Sequence, residues 1–211
     1  MKKITIYGTS AAKFRSSEKS WGFYTYCEQL KNYFSDCIIN WRGVNQCSLE
    51  RLYLDIKKDK NSDLIIIFHG KPSYIYCPGL VKDISIDSIK TMVSNKENAK
   101  KGAVNAHTRQ TGKDMKFILS MCYFYKTVFY DGTLRPEIYS ALLSRLDKIL
   151  MSRNVIHCSC ISAHDYLRSG ITIKETKKIF KQNHPVYYLP QENHNKLAQL
   201  LIGNINEYNW N

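Results

Sequence analysis

The chain has 211 residues and a mass of 24.6 kDa, which suits one domain of ordinary to large size and leaves little room for two. With 44% hydrophobic and 23% charged residues it has the composition of a globular protein, which excludes disordered, collagen-like and coiled-coil chains. Thirty-one Lys and Arg against eighteen Asp and Glu give a net charge of +13 and a pI near 9.4. That excess favours polyanions, nucleic acid among them. It is also what a Lys-, Asn-, Ile- and Tyr-rich codon bias produces, and the basic residues are spread along the chain with one denser patch from Lys96 to Lys116. Nucleic acid is therefore not the favoured partner.

No stretch approaches the roughly 20 apolar residues of a membrane span, the longest strongly apolar run being Leu64 to Phe68. Two lysines precede the first apolar residues without a signal-peptide core, so a cytoplasmic location is expected. Seven cysteines, none in a C-x-x-C, predict reduced thiols. The run His157-Cys-Ser-Cys160-Ile-Ser-Ala-His164 fits no common zinc spacing, and neither a metal nor a cofactor is expected.

In chain order, Ile4 to Tyr7 reads as a first strand ending in the turn Gly8-Thr9-Ser10, and Trp21 to Phe34 has helical spacing. Cys37 to Trp41 is a second strand leading into Arg42-Gly43-Val44-Asn45. Ser48 caps a helix to about Lys58. Asp63 to Phe68 is continuously apolar, as a strand covered on both faces would be. A loop with two prolines and two glycines follows from His69 to Val81, then a helix from Ile84 to Val93 and a long basic surface loop over 95–113. Lys116 to Met121 reads as a fourth strand, leading into the aromatic run 122–130. Leu134 to Met151 is a strong amphipathic helix, with Pro136 in its first turn. Asn154 to Cys158 reads as a fifth strand, and Thr172 to Lys181 and Asn195 to Asn206 as closing helices.

Short apolar strands alternating with helices predict a single α/β domain over residues 1–211. The expected architecture is a three-layer α/β/α sandwich on a mainly parallel five-stranded sheet of flavodoxin-like type. Ligands of such sheets bind at the carboxyl ends of the strands. That rule points to three glycine-bearing turns: Gly8-Thr9-Ser10, Gly43-Val44-Asn45 and His69-Gly70-Lys71-Pro72. Ser10 is the candidate nucleophile, although a turn serine is ordinarily structural. His194, just ahead of the last helix and expected outside its core face, is the candidate base that a hydroxyl needs at neutral pH. His107, His157, His164 and His184 have weaker claims.

Tyr7-Gly8-Thr9-Ser10 followed by Trp21 and its helix resembles the first block of the SGNH (GDSL-like) hydrolases, where the serine is the nucleophile. Trp41-Arg42-Gly43-Val44-Asn45 is similar to their second block, and His194-Asn195 with Lys196 to Ile202 to their last. The resemblance runs over nearly the whole chain through short motifs. It implies a serine esterase that hydrolyses an acyl, chiefly acetyl, ester, on a small molecule or a glycan, through a Ser10 acyl-enzyme with His194 as base. The backbone N–H groups of Ser10 and Gly43, with Asn45, would hold the oxyanion. Thr9 replaces the family's aspartate, and Gly70-Lys71-Pro72-Ser73 stands where Gly-x-Asn-Asp is expected. Gln191 occupies the position of the aspartate three residues before the histidine, which leaves Glu192 as the nearby carboxylate. Losing an oxyanion donor costs about 10²–10³ in rate. Gly70, Lys71, Tyr123 and Tyr125 are the expected substrate-binding residues, the tyrosines by stacking on sugar rings. The alternative is a catalytically defective SGNH-like binder of a polyanion or a small ligand.

Overall fold

A computed structural model describes residues 1–16, 18, 22–44, 46–70, 72–76, 83–85, 89, 91–92, 108, 116–117, 119–120, 123–124, 134–180 and 189–208. Five strands form one parallel sheet: β1 (Lys3–Gly8), β2 (Ile38–Gly43), β3 (Leu64–Phe68), β6 (Val155–Cys158) and β7 (Ile171–Ile173). Their spatial order is β2-β1-β3-β6-β7. The chain moves outward from β1 in both directions, so the crevice between the carboxyl ends of β1 and β3 is the topological switch point. Two short strands, β4 (Tyr74–Ile75) and β5 (Ile84–Ser85), pair antiparallel outside this sheet.

The period-2 geometry of a strand divides the core into two layers. Ile4, Ile6, Leu64, Ile66, Phe68, Ile156 and Cys158 face α1 (Tyr26–Tyr33) and α5 (Gln191–Glu207). Tyr7, Ile65, Ile67 and Val155 face α2 (Leu49–Lys58) and α3 (Leu134–Leu150). A short helix, α4 (Thr176–Phe180), precedes α5. All five residues of β3 are buried, as expected of a strand covered on both faces. Helix starts follow their capping chemistry. Thr25 Oγ1 accepts from Glu28 N while Glu28 Oε2 accepts from Thr25 N, and Ser48 Oγ accepts from Arg51 N.

The architecture is the α/β three-layer sandwich expected, but two of its elements differ. Described residues 116, 117, 119, 120, 123 and 124 are helical, so the described part of the strand expected over Lys116 to Met121 is helix instead, and Phe117 is exposed. A short apolar run has no period that separates strand from helix. The fifth strand is instead Ile171–Ile173, within and just before the stretch that reads as a helix from Thr172. Gly170 makes room for it: a Cβ there would lie 2.0 Å from Val155 O, and its φ is +63°. Smaller differences are the strand at Ile84–Ser85 where a helix is expected to begin, the strand Tyr74–Ile75 inside the loop, and the start of α5 at Gln191. The first helix begins at Tyr26, and Trp21 lies outside the described residues.

Candidate functional site

At the carboxyl end of β1, the turn Thr9–Ser10 opens a 3₁₀ segment, Ser10–Ala12, capped by Thr9. Gly8 is required here, because its φ is +125° and a Cβ would lie 1.9 Å from Phe68 O. Gly43 lies against the same segment, where a Cβ would fall 2.3 Å from the Ala12 carbonyl carbon. The ends of β1 and β2 thus meet around Ser10. Ser10 is part-exposed, and its hydroxyl makes no hydrogen bond to a described residue.

His194 is not beside it in the manner expected. It sits in the first turn of α5, is only 1% exposed, and stacks on Tyr26 at 6.2 Å with Phe23 on another side. Its Nδ1 accepts from Tyr26 N at 3.4 Å, and its buried Nε2 has no partner among the described residues. Burial lowers its pKa, opposed by Glu28. This corrects the expectation of a histidine outside the core face. α5 starts ahead of His194 rather than after it, which turns position 194 inward with Leu197, Ala198 and Leu201. Glu192 is exposed and makes no bond to His194, and Gln191 instead bonds Tyr24 and Asn195. Ser10 and His194 share no hydrogen bond. Asn45, Lys71 and Tyr125 lie outside the described residues, and Tyr123 is 47% exposed.

A denser concentration of polar chemistry stands at the carboxyl ends of β3 and β6. His69 follows β3 directly, His157 lies in β6, and Cys160 follows two residues after β6. A 3₁₀ turn, Ser162–Tyr166, brings His164 back over them. The His69 and His164 rings stack at 4.2 Å, and those of His69 and His157 at 5.1 Å. All three histidines are buried, while Cys160 is part-exposed. The Cys160 thiol lies 3.4 Å from Gly70 O and 3.9 Å from His164 Nδ1.

Hydrogen bonds fix the state of His164. Cys160 N donates to its Nδ1 at 3.3 Å, so Nε2 carries the proton and donates to Tyr139 Oη at 2.7 Å. Tyr139 in turn reaches Gly70 O at 3.4 Å. Burial is the leading cause that lowers His164 to about 4, with His157 adding to it. Burial likewise lowers His157 to about 4 and pushes His69 well below the ordinary imidazole range. All three are therefore neutral at physiological pH.

The loop bearing Cys160 is tied down from below. Ser159 Oγ lies 2.9 Å from Ile161 O and 3.1 Å from Asp165 Oδ1, Thr176 Oγ1 sits 2.7 Å from the carbonyls of Ser159 and Ile173, and Lys177 pairs with Asp165. The loop bearing His69–Gly70 is held by Arg135 of α3. Its guanidinium pairs with Glu50 of α2 and donates to Pro72 O and Tyr74 O. Gly70 is packed too closely for a side chain, since a Cβ would meet Cys47 O at 2.4 Å, and its N–H donates to no described residue. Among the described residues no group of three or more His, Cys, Asp or Glu is arranged to hold a metal ion. The histidines stack on and bond to one another rather than converging on a common point.

Of the sequence candidates, then, Gly43 packs against the segment that Ser10 opens, His194 is buried and Glu192 exposed, neither with a hydrogen bond to Ser10, and Gly70 belongs to the second cluster. Sequence reasoning does not single out His69, His157, His164, Cys160 or Tyr139 for catalysis. Two buried strands that each end in His or Cys at the ligand-binding edge of the sheet are the signal that could find them. Compared with known proteins, the chain matches no family model, and no curated protein or solved structure is significantly similar to it.

Proposed function

We propose that the protein is an acyl-transferring hydrolase with Cys160 as nucleophile and the stacked imidazoles beside it as its proton acceptors. The observation that carries this reading is one part-exposed thiol, among buried neutral histidines, at the carboxyl ends of two central parallel strands. A thiol is nucleophilic only as thiolate, and a neutral imidazole in reach supplies the base. The proton leaves Cys160 Sγ for imidazole, and sulfur attacks the carbonyl carbon of an ester or amide. The Gly70 N–H donates to the oxygen that gains charge. The imidazolium then protonates the departing alcohol or amine, leaving a thioester on Cys160. Water, deprotonated by the same imidazole, hydrolyses the thioester to acid and free thiol.

The test is competitive alkylation by substoichiometric iodoacetamide at pH 6.5, followed by peptide mapping. Cys37 is the internal control: it is also part-exposed, and burial with Asp36 beside it pushes its thiol up. Cys160 should be alkylated at least tenfold faster than Cys37, and His164→Gln, which removes the imidazole whose Nδ1 lies 3.9 Å from the thiol, should remove most of that advantage. Equal rates in the wild type would overturn the reading.

A second reading keeps the serine esterase implied by the SGNH resemblance, with Ser10 as nucleophile. It is favoured by the close approach of Gly43 to the Ser10 segment and by a serine hydroxyl at the switch point that no described residue engages. The enclosure of His194 against Tyr26, with no hydrogen bond to Ser10, counts against it.

A further inference from the structure

Four groups close a ring of polar contacts at the carboxyl edge of the sheet. The Cys160 thiol lies 3.4 Å from Gly70 O and 3.9 Å from His164 Nδ1. Tyr139 Oη lies 2.7 Å from His164 Nε2 and returns to Gly70 O at 3.4 Å. Tyr139 comes from α3, Gly70 from the loop after β3, and Cys160 and His164 from the segment after β6. The His69 ring, stacked on His164 at 4.2 Å, backs the plane of that imidazole. His69 is itself anchored: its Nε2 lies 2.9 Å from His157 Nδ1, and His157 Nε2 lies 3.0 Å from Ser169 Oγ, which donates to Asp147 Oδ1 at 2.6 Å.

Each proton in the ring has one consistent place. Cys160 N–H donates to His164 Nδ1 at 3.3 Å, so the imidazole proton is on Nε2 and Tyr139 Oη accepts it. Burial, with Cys160 adding to it, pushes the Tyr139 phenol far above its ordinary range, so the hydroxyl keeps its proton. That proton is directed at Gly70 O, the other partner of Tyr139 among the described residues. The Cys160 thiol thus has two acceptors in reach. Gly70 O orients its proton but cannot remove it, whereas His164 Nδ1 is a base. Among the described residues it is the one imidazole nitrogen within hydrogen-bond reach of the thiol. Taking the proton makes His164 a buried cation, and burial opposes that charge. The bond to Tyr139 works the other way, because a hydrogen bond from an ionised donor is roughly twice as strong as a neutral one.

Resting on the thiol reading above, we propose that Tyr139 is the positioning residue of a Cys160–His164 pair. Its phenol oxygen holds the imidazole with the Nδ1 lone pair towards the thiol, and supports the imidazolium once the proton has crossed. In that step the S–H bond breaks, its electron pair stays on sulfur, and the proton bonds to Nδ1. Tyr139 acts through His164 and exchanges no proton itself. The titratable and charged groups around the imidazole are Cys160, His69 after β3, His157 on β6, Asp165 in its own turn, Lys177 on α4 and Tyr139 on α3. Arg135 on α3 and Glu50 on α2 act on Tyr139. All but the phenol are shared by the wild type and Tyr139→Phe, so a difference between their pH profiles reports the hydroxyl.

The test follows two readouts in the wild type and Tyr139→Phe, with circular dichroism as a folding control. One is nitrogen-15 NMR of histidine-labelled protein, with His164 assigned from the spectrum of His164→Gln. The other is the Cys160 alkylation rate with iodoacetamide between pH 5 and 9. The wild type should show His164 protonated on Nε2. Tyr139→Phe should slow alkylation about tenfold near neutral pH, with little change at pH 9, where the thiolate forms without a base. A merely structural hydroxyl would lower the unfolding midpoint and leave that profile unmoved. A folded Tyr139→Phe with the wild-type profile would therefore overturn the role of Tyr139 while leaving Cys160 as nucleophile. Should Tyr139→Phe fail to fold, 3-fluorotyrosine at position 139 keeps the ring and weakens its oxygen as an acceptor. It should slow alkylation about threefold near neutral pH, and an unchanged rate would overturn the proposal. His164 protonated on Nδ1 in the wild type would do the same. A wild-type Cys160 no faster than Cys37, with the Nε2–H tautomer intact, would overturn the thiol reading instead.

Discussion

Histidine burial couples this candidate site to the stability of the fold. An unfolded histidine titrates near 6.5, whereas His157 and His164 are lowered to about 4 by burial. The unfolded chain therefore binds protons first as the pH drops, and the folded state loses stability from about pH 6.5 down to about pH 4. A tenfold difference in proton affinity between the two states is worth about 1.4 kcal/mol, so each histidine withdraws on the order of 3 kcal/mol across that window. His69 and His194, lowered by the same cause, act in the same direction. Urea titrations at pH 7.5, 6, 5 and 4 should show a midpoint that falls steeply below pH 6.5. In His164→Gln the fall should be shallower, and a flat midpoint between pH 7 and 5 would contradict a neutral, buried histidine cluster.

Among the elements, α3 does most to shape the cluster. It contributes Arg135, Tyr139 and Asp147 along one side, spaced four and eight residues apart so that they rise over successive turns of one face. Arg135 at its start ties down the β3–β4 loop that carries His69 and Gly70, and also holds Glu50 on α2. Arg135→Ala strands two backbone carbonyls and a part-buried carboxylate, and should cost about 2–3 kcal/mol by urea unfolding. It should also slow Cys160 alkylation, because the loop whose Gly70 carbonyl receives the thiol and Tyr139 loses its support. Full retention of both stability and reactivity would show that the loop is held by other contacts.

Elements are legible in the sequence where their residues carry a strong pattern. β3 is five consecutive apolar residues, α2 has a serine cap and an apolar stripe, and the pattern places both within a residue of their true ends. β7 is not legible, because Ile-Thr-Ile is short and its place depends on Gly170 approaching Val155, a long-range contact that leaves no local trace. The candidate site is hidden for a related reason. Cys160 and His69 lie far apart in sequence and come to the same edge of the sheet only through the pairing of β3 with β6. The Ser10 turn is visible because it directly follows its strand and its glycine.

Over the whole molecule, the sheet divides a hydrophobic interior into two layers and leaves its polar chemistry at one edge. The +13 charge is not concentrated on the described clefts. One of about 580 Å³ along β1 and β2 mixes Lys3, Arg42, Lys58 and Lys60 with Asp55 and Asp59. Another, of about 500 Å³, sets Lys57, Lys60 and Arg153 beside Asp59 and Asp63. Neither shares a residue with the histidine cluster. No helix among the described residues is long and apolar enough to cross a membrane. The fold thus supplies two candidate nucleophiles at the same edge of the sheet, Ser10 after β1 and Cys160 after β6, with β3 between them.

The two nucleophiles are separated most directly by reacting the protein with an activated aryl acetate and weighing the acetyl adduct by intact mass, in the wild type, Cys160→Ser and Ser10→Ala. A thiol mechanism predicts a single adduct in the wild type, carried on Cys160 and released by neutral hydroxylamine as a thioester is. It should persist in Ser10→Ala and vanish in Cys160→Ser. An adduct lost in Ser10→Ala and kept in Cys160→Ser would contradict the thiol mechanism and establish the serine esterase in its place.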